Sequence, residues 1–149
     1  MKKKTEKTTA ETIAQGCIAG RMRLLNRVVT RTYDDALRPL GIKTSQLNIL
    51  VVTAGLGLAR PAEISSRLKM EISTVSRNVD RMRAQGWVEV VEDEQDARAH
   101  KLRLSGKGKR LLEKAKPAWD KAQAIVKELL GRDGVQAIMS GAESAGATV

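Results

Sequence analysis

The stretch RPAEISSRLKMEISTVSRNVDRM, residues 60–82, holds two helical patterns separated by a short break at 69–71. Pro61 suits the first turn of a helix because its missing N–H costs nothing there. The second helix is predicted from about Ser73 to Gln85, and Gly86 ends it. Apolar residues at helical spacing mark the core side of both helices: Ile64, Leu68, Val75, Val79 and Met82. Two helices joined by so tight a turn predict a helix–turn–helix.

Two strand-like runs follow this pair of helices. Trp87–Val91 is apolar and β-branched, and Lys101–Leu104 alternates polar and apolar residues. Between them lies a charged segment, Glu92–Arg98, which we expect to form the loop of a hairpin. Helix–turn–helix followed by a hairpin is the order of elements in a winged helix, so the predicted fold is mainly α with a small β-hairpin wing.

The start of the second helix carries the polar residues expected of a DNA-reading helix. The N-terminal part of such a helix faces base edges in the major groove. Arginine can pair with guanine, asparagine with adenine, and hydroxyls with bases or phosphates. The alternative is the solvated face of an ordinary amphipathic helix, but serine and threonine are mediocre helix formers and need a reason to cluster here. The candidate DNA contacts are Ser73, Thr74, Ser76, Arg77, Asn78 and Arg81.

The hairpin segment offers one further candidate contact. An arginine at a hairpin tip can enter an A·T-rich minor groove, where the negative potential is deepest, and Arg98 is predicted in such a position. Asp96 can orient it through a charge-assisted hydrogen bond. The alternative is a solvated turn, which the acidic residues 92–94 favour because they repel phosphate.

Helical patterns flank the winged segment on both sides. One long helix is predicted from about Thr9 to Leu37, and a short one capped by Thr44 or Ser45 and closed by the glycines at 55 and 57. Another begins after Ser105, with a kink expected near Pro117 because proline lacks an amide donor. Gly131 and Gly134 are expected to separate a last helix, about 135–143. Trp119 is assigned to core or dimer packing and Trp87 to packing under the wing.

Composition favours a polyanion as partner and disfavours several other classes. The net charge is +10, although residues 60–104 are nearly neutral, with nine Lys or Arg against eight Asp or Glu. An aromatic content of 2% argues against stacking of single-stranded bases. There is no phosphate-binding glycine loop, no nucleophile with a local base and no metal-ligand spacing, so we predict no catalytic residues, metal or cofactor. No apolar run is long enough to span a membrane, and a single cysteine suits the reducing cytoplasm, the expected location.

Across residues 10–130 the chain resembles the MarR (multiple antibiotic resistance regulator) family. The resemblance rests on RTYDDALRPLGI at 31–42, AEISSRL at 62–68 with STVSR at 73–77, and DAR at 96–98 with LRLSGKG at 102–108. It implies a dimer whose first and last helices interlock, with one winged lobe on each subunit. It also implies that Arg98 enters the minor groove while five residues read the major groove: Ser73, Thr74, Ser76, Arg77 and Asn78.

The resemblance raises the question of redox sensing at Cys17, the single cysteine. Some family members sense hydroperoxides through a cysteine in the first helix, near a tyrosine. Counting back from Tyr33, the corresponding position holds Ala19, and two residues turn a helical side chain by about 200°. We therefore expect Cys17 to be a small buried hydrophobe, with a thiol-based sensor as the alternative.

These observations predict a sequence-specific regulator that reads a pseudo-palindromic operator in double-stranded DNA as a homodimer, as a repressor released by a small-molecule effector. The alternatives are a non-sequence-specific nucleic-acid-binding protein and a winged-helix adaptor for protein partners. The expected organisation is a basic disordered tail at 1–8, a dimerisation helix at 9–43, a winged helix–turn–helix lobe at 44–104, and dimerisation helices with a tail at 105–149.

Overall fold

A computed structural model describes residues 7–93 and 96–147, with the side chains of 93 and 96–99 excepted. The elements follow one another as α1 (Thr9–Gly16), α2 (Ile18–Leu37), a 3₁₀ turn (Arg38–Leu40), α3 (Thr44–Leu56), α4 (Pro61–Leu68), α5 (Ile72–Ala84), β1 (Val88–Asp93), β2 (Asp96–Leu104) and α6 (Gly106–Ser144). The predicted class, mainly α with a β-hairpin wing, is confirmed.

One hydrophobic core joins α3, α4, α5, the hairpin and the start of α6. Leu37 and Ile42 close it on the side of α2. Its fully buried members include Ile49, Leu50, Ile64, Val75, Met82 and Leu102. The residues predicted as the inner side of the two central helices are therefore correctly assigned, with Leu68 only partly buried.

The segment predicted as one long helix is two helices. Cys17 has extended dihedral angles (φ −74°, ψ 102°), ends α1 and caps α2, its Sγ accepting the N–H of Gly20 at 3.3 Å. Gly16 and Gly20 flank the break, and glycine is a poor helix former because of its backbone entropy. Cys17 is partly exposed in the chain, so its assignment as a buried core residue is wrong for the single subunit.

The corner between α2 and α3 is closed by a contact that the local sequence does not announce. The Asp34 carboxylate accepts both the N–H and the hydroxyl of Thr44, each at 2.7 Å. Thr44 is therefore the first residue of α3 and not its cap, because the capping oxygen comes from α2. α3 also runs through Gly55 and ends at Leu56, one turn later than its apolar core suggested.

The turn between α4 and α5 matches its prediction. Lys69 adopts left-handed angles (φ 52°, ψ 38°) and its N–H bonds to carbonyls of the last turn of α4. The Ser65 hydroxyl donates to the Met70 carbonyl at 2.6 Å and ties the turn to α4. Side-chain and backbone bonds together fix the angle at which α5 leaves α4.

The wing is longer than its sequence suggested. β1 and β2 pair antiparallel from Val88↔Leu104 to Glu92↔His100, followed by an irregularity and the pair Asp93↔Asp96. Pairing absorbs most of the predicted loop, so Asp96 and Arg98 belong to β2 and not to a seven-residue loop. A third short partner, Ala59, exchanges backbone hydrogen bonds with Leu102 at 2.8 and 2.9 Å and anchors the wing to the lobe.

The last helix is divided by a glycine and not by its proline. α6 begins at the predicted cap, Ser105, whose Oγ accepts the Gly108 N–H at 3.0 Å. Pro117, where a kink was expected, keeps helical dihedral angles, and the helix continues through it. Gly131 alone among residues 106–144 leaves them (φ 67°, ψ 172°), a conformation available to residues without a Cβ. The final helical segment therefore resumes directly after Gly131, earlier than predicted.

Gly108 sits against the Trp87 backbone where α6 crosses the base of the wing. A Cβ on Gly108 would lie 2.0 Å from the Trp87 carbonyl oxygen. Trp87 itself is 7% exposed and belongs to the core, as predicted. Glycine is required here because two backbones approach more closely than a side chain permits.

Candidate nucleic-acid interface

The outer face of α5 presents most of the predicted DNA contacts together. Ser73, Ser76, Arg77 and Arg81 are all exposed. The opposite face of the helix carries Val75, Val79 and Met82 into the core. Since one face of α5 packs on the core and the opposite face is exposed, its outer side chains are available to a partner over three turns.

Two of the candidates, Thr74 and Asn78, lie at the edge of this face and are half-buried. The Asn78 amide donates to the Thr74 carbonyl one turn back, at 2.9 Å. Arg77 Nη2 donates to the Thr74 hydroxyl at 3.3 Å, a long bond that leaves most of the guanidinium donors free. Arg77 is thus at the helix surface, whereas Asn78 is oriented by its bond to Thr74, with its second N–H and its amide oxygen left for another partner.

The helix before α5 acts as a brace. The Glu63 carboxylate accepts the Arg60 N–H at 2.6 Å and closes the first turn of α4 over Pro61. Ile64 of α4 is buried in the core, and Lys69, with left-handed dihedral angles, lies in the turn that connects α4 to α5. This arrangement matches the supporting role of the first helix in a helix–turn–helix.

Charges on the outer face of α5 are mostly positive. Arg83 lies 3.9 Å from Asp80, an exposed and therefore weak pair. In the part of the chain that the structure describes, no carboxylate lies within ion-pair distance of Arg77 or Arg81. Both guanidinium groups can therefore receive an anionic or base-edge partner without first breaking an ion pair.

The wing contributes a hairpin of the expected kind, but its predicted contacts lie outside the described residues. The side chains of Asp96 and Arg98 are among those the structure does not describe. Nearer the base, Arg103 pairs with Glu89 across the two strands at 2.8 Å, both side chains being half-exposed. The roles of Asp96 and Arg98 remain predictions.

A cavity of about 470 Å³ opens between α3 and α6, a size typical of small-molecule sites. Its walls are mostly apolar, with Asn48 and Lys116 as polar groups, and the remaining lining residues are Leu47, Val51, Leu112, Ala115 and Trp119. The Lys116 ammonium lies 5.3 Å from the centre of the Trp119 ring and is held by Asp120 at 2.6 Å. Trp119 therefore packs on the core, as predicted, while one edge borders this cavity.

The sequence did not identify Tyr33 as a link between helices. Its hydroxyl donates to the Gln123 side chain of α6, and partial burial raises the pKa of Tyr33. The bond joins α2 to α6 across ninety residues of sequence, and no local pattern announces it. Within the described residues, no group of three or more potential metal ligands occurs, and no helix has the length and apolarity to cross a membrane.

Known proteins resemble the chain over this whole arrangement. The family model described as "MarR family" matches residues 40–99, which include the helix–turn–helix and most of the wing. The M. tuberculosis transcriptional regulator MOSR, solved in complex with DNA, is 32% identical, with 87% of this chain and 98% of that one covered and a TM-score of 0.70. The chain belongs to the MarR family.

Other members extend the similarity. The multiple antibiotic resistance protein MarR of Salmonella typhimurium is 26% identical over 108 residues, 71% of this chain and 75% of that protein. A mutant MarR from E. coli, complexed with operator DNA, shares the fold with a TM-score of 0.80 at 19% identity, with 89% and 96% of the two chains covered. MarR-family proteins are DNA-binding transcriptional regulators, not enzymes, and they bind DNA as dimers. The chain is a DNA-binding transcriptional regulator of this family.

Proposed function

We propose that the chain is a homodimeric repressor that reads a pseudo-palindromic operator through the outer face of α5. The observation that carries the proposal is the set of exposed or half-exposed polar side chains on that face. Ser73, Ser76 and Arg77 stand forward while Val75 and Val79 anchor the helix from behind. Arg81 continues the face one turn further, and Thr74 and Asn78 border it.

The proposed dimer rests on apolar surface that one subunit leaves exposed. The side chains concerned lie on α1, on α2 and on the second half of α6: Ile13, Ile18, Met22, Leu24, Val28, Ile125, Leu129, Ile138 and Met139. Each is at least 43% exposed. Apolar surface of this extent usually marks an interface, and a two-fold dimer gives both copies the same cover.

The difference between the polar outer face of α5 and the exposed apolar side chains of α1, α2 and α6 supports the proposed division of the chain into functional parts. Residues 44–104 form the DNA-binding lobe, and residues 9–43 and 105–149 supply dimerisation helices, with a basic tail at 1–8. The dimer would hold the two α5 helices at a fixed separation, which a palindromic operator must match.

An effector would act from between these parts. The cavity between α3 and α6 lies where the DNA-binding lobe meets a proposed dimerisation helix, and its wall carries a cation, Lys116. A ligand that binds better when α3 and α6 are at one relative angle would shift the population of DNA-competent dimers. Repression would then be relieved because the two α5 helices no longer fit adjacent half-sites.

Selection of bound duplexes from a random pool tests the proposal. The full chain should enrich inverted repeats whose half-site centres lie about 10–10.5 base pairs apart, one turn of duplex. A non-specific binder would show a steep salt dependence and enrich no sequence. Retention of no duplex at all would favour the protein adaptor. Repression itself is tested by adding the protein to transcription from a promoter that carries the selected site.

One observation keeps a second function in view. Cys17 is partly exposed and lies at the N-terminus of α2, where its sulfur faces the backbone N–H of Gly20. A thiol-based sensor would release its operator on treatment with a peroxide.

A further inference from the structure

A line of cations leaves the recognition helix and continues along α6. Arg81 and Gln85 lie one turn apart at the end of α5, and Lys107 Nζ donates to the Gln85 carbonyl at 2.7 Å. Arg110 and Lys114 follow Lys107 at steps of three and four residues, which places them on one side of α6. We call Arg81, Lys107, Arg110 and Lys114 the basic stripe.

Two neighbouring cavities lie along the basic stripe. One, of about 400 Å³, is lined by Lys107, Arg110 and Lys114, and the other, of about 480 Å³, by Arg81. They share Leu40, Gln85 and Trp87. Of the described residues that line them, none is a carboxylate, so the concave surface is positive over its whole length.

Within the described residues, the cations of the basic stripe have no carboxylate partners. Several other exposed cations of the described surface do stand beside acids, in the pairs Arg38–Asp35, Arg83–Asp80, Arg103–Glu89 and Lys116–Asp120. Arg110 and Lys114 are exposed and, within the described residues, have no such neighbour. Like charges four residues apart disfavour a helix, so the free protein keeps an unfavourable pair that an anionic partner would relieve.

The position of the basic stripe identifies the partner. It is continuous with the outer face of α5, where Arg77 and Arg81 lie. It is separate from the exposed apolar surface of α6, which begins at Ile125. Lys107 to Lys114 spans about 10 Å of helix, and a DNA strand presents one phosphate per about 3.4 Å of axial rise. Because a strand winds around the duplex axis, its successive phosphates lie farther apart than this rise, and the stripe is long enough to meet about two of them.

We propose that the basic stripe binds the phosphate backbone of the operator beyond the bases read by α5. The proposal rests on the proposed function and deepens it, since it adds a sequence-independent contact to the sequence-reading face. Phosphate contacts fix register and orientation without reading bases. In each subunit, the basic stripe would contact the backbone of a strand that borders the groove occupied by α5. That contact would hold α5 at a constant depth in the groove.

The test compares two double variants of the full chain. Arg110→Gln with Lys114→Gln removes two stripe charges and spares Lys107, which bonds to α5. Lys109→Gln with Lys127→Gln removes the same charge from exposed positions on the other side of α6. Thermal unfolding checks that both variants are folded. Affinity for a selected operator and for an unrelated duplex is then measured from about 0.05 to 0.2 M salt.

The slope of log affinity against log salt should become shallower in the stripe variant by up to about 3.6, because a dimer loses up to four phosphate contacts at about 0.9 each. The loss should be equal for both duplexes, about tenfold or more at the lowest salt, and the control variant should keep the parent slope. Ethylation of the phosphates that the stripe contacts should weaken binding of the parent protein. The same ethylation should not weaken binding of the stripe variant.

Equal slopes for the stripe and control variants would overturn the inference. That outcome leaves the proposed function intact if the parent still prefers its operator. If the parent prefers no duplex, the proposed function fails, but a smaller slope in the stripe variant alone would still support the phosphate contact.

Discussion

The DNA-binding lobe and the terminal helices carry similar apolar patterns with opposite results. In the lobe, Ile64, Val75 and Met82 are 0% exposed. In the terminal helices, residues at equally regular spacing remain outside, with Ile18 74% and Leu129 57% exposed. The lobe covers most of its own apolar side chains, whereas the terminal helices leave many of theirs exposed, which we propose a second subunit covers.

This difference shows what an apolar repeat specifies. It fixes which side of a helix avoids water, but it does not say whether the cover comes from the same chain. α1 has no buried residue at all. A helix of eight residues is marginal in water on its own, so its regular structure points to support from a partner subunit.

The largest expected effect is loss of the dimer. Replacing Ile125 and Leu129 by Asp would place four carboxylates in the proposed interface, without counterions. We expect dissociation to become more favourable by at least about 5 kcal/mol, roughly four orders of magnitude in the dimer constant. Sedimentation at micromolar concentration should then show the 16.3 kDa monomer in place of a dimer.

The control is the variant with Lys109→Gln and Lys127→Gln, which changes the net charge by the same amount and should stay dimeric. The monomeric variant should retain the far-ultraviolet signal of a folded lobe. A parent protein that sediments as a monomer would refute the assignment of the terminal helices.

The next largest effect concerns the interior of the lobe. Gly108→Ala would bring a Cβ to 2.0 Å from the Trp87 carbonyl oxygen, so two backbones must separate. We expect a loss of at least about 3 kcal/mol in the free energy of unfolding. Gly106→Ala, two residues earlier, is the matched control because its Cβ would meet only the end of the flexible Arg110 side chain at 3.4 Å. Equal denaturation midpoints for the two variants would show that the close approach is not structural.

Elements announced by local chemistry were predicted well. Pro61 starts α4, Ser105 caps α6 and Gly131 interrupts it. In each case the signal depends on one residue: a missing donor, a hydroxyl acceptor or a missing Cβ. The buried faces of α4 and α5 were also predicted, from the helical spacing of their apolar residues.

Features that depend on distant residues were not predictable. Asp34 caps α3 across ten residues, and that contact exists only once the chain turns between α2 and α3. Pro117 stays helical although proline disfavours the interior of a helix, and nothing in the neighbouring sequence predicts that outcome. The candidate DNA contacts on α5 followed from its polar face, but the hydrogen bond from the Asn78 amide to the Thr74 carbonyl depends on a side-chain conformation that the sequence pattern does not specify.

The smallest expected effect concerns Cys17. Its sulfur caps α2, and a serine hydroxyl can accept the same Gly20 N–H. Cys17→Ser should therefore match the parent in stability, and Cys17→Ala should lose about 1 kcal/mol or less. An organic hydroperoxide should leave operator affinity unchanged in the parent protein and in both variants. A parent that releases its operator under peroxide, with a serine variant that does not, would establish the thiol sensor instead.

The central claim is that the outer face of α5 reads base edges. It is tested most directly by measuring Arg77→Ala and the parent on one selected operator with every base pair varied in turn. Loss of a bidentate arginine–guanine pair should cost about 1–3 kcal/mol and relax preference at one position in each half-site, leaving other positions unchanged. Arg83→Ala, whose guanidinium already faces Asp80 at 3.9 Å, should leave every base preference intact. If Arg77→Ala instead lowers affinity equally for all sequences, Arg77 contacts phosphate and the claim is wrong.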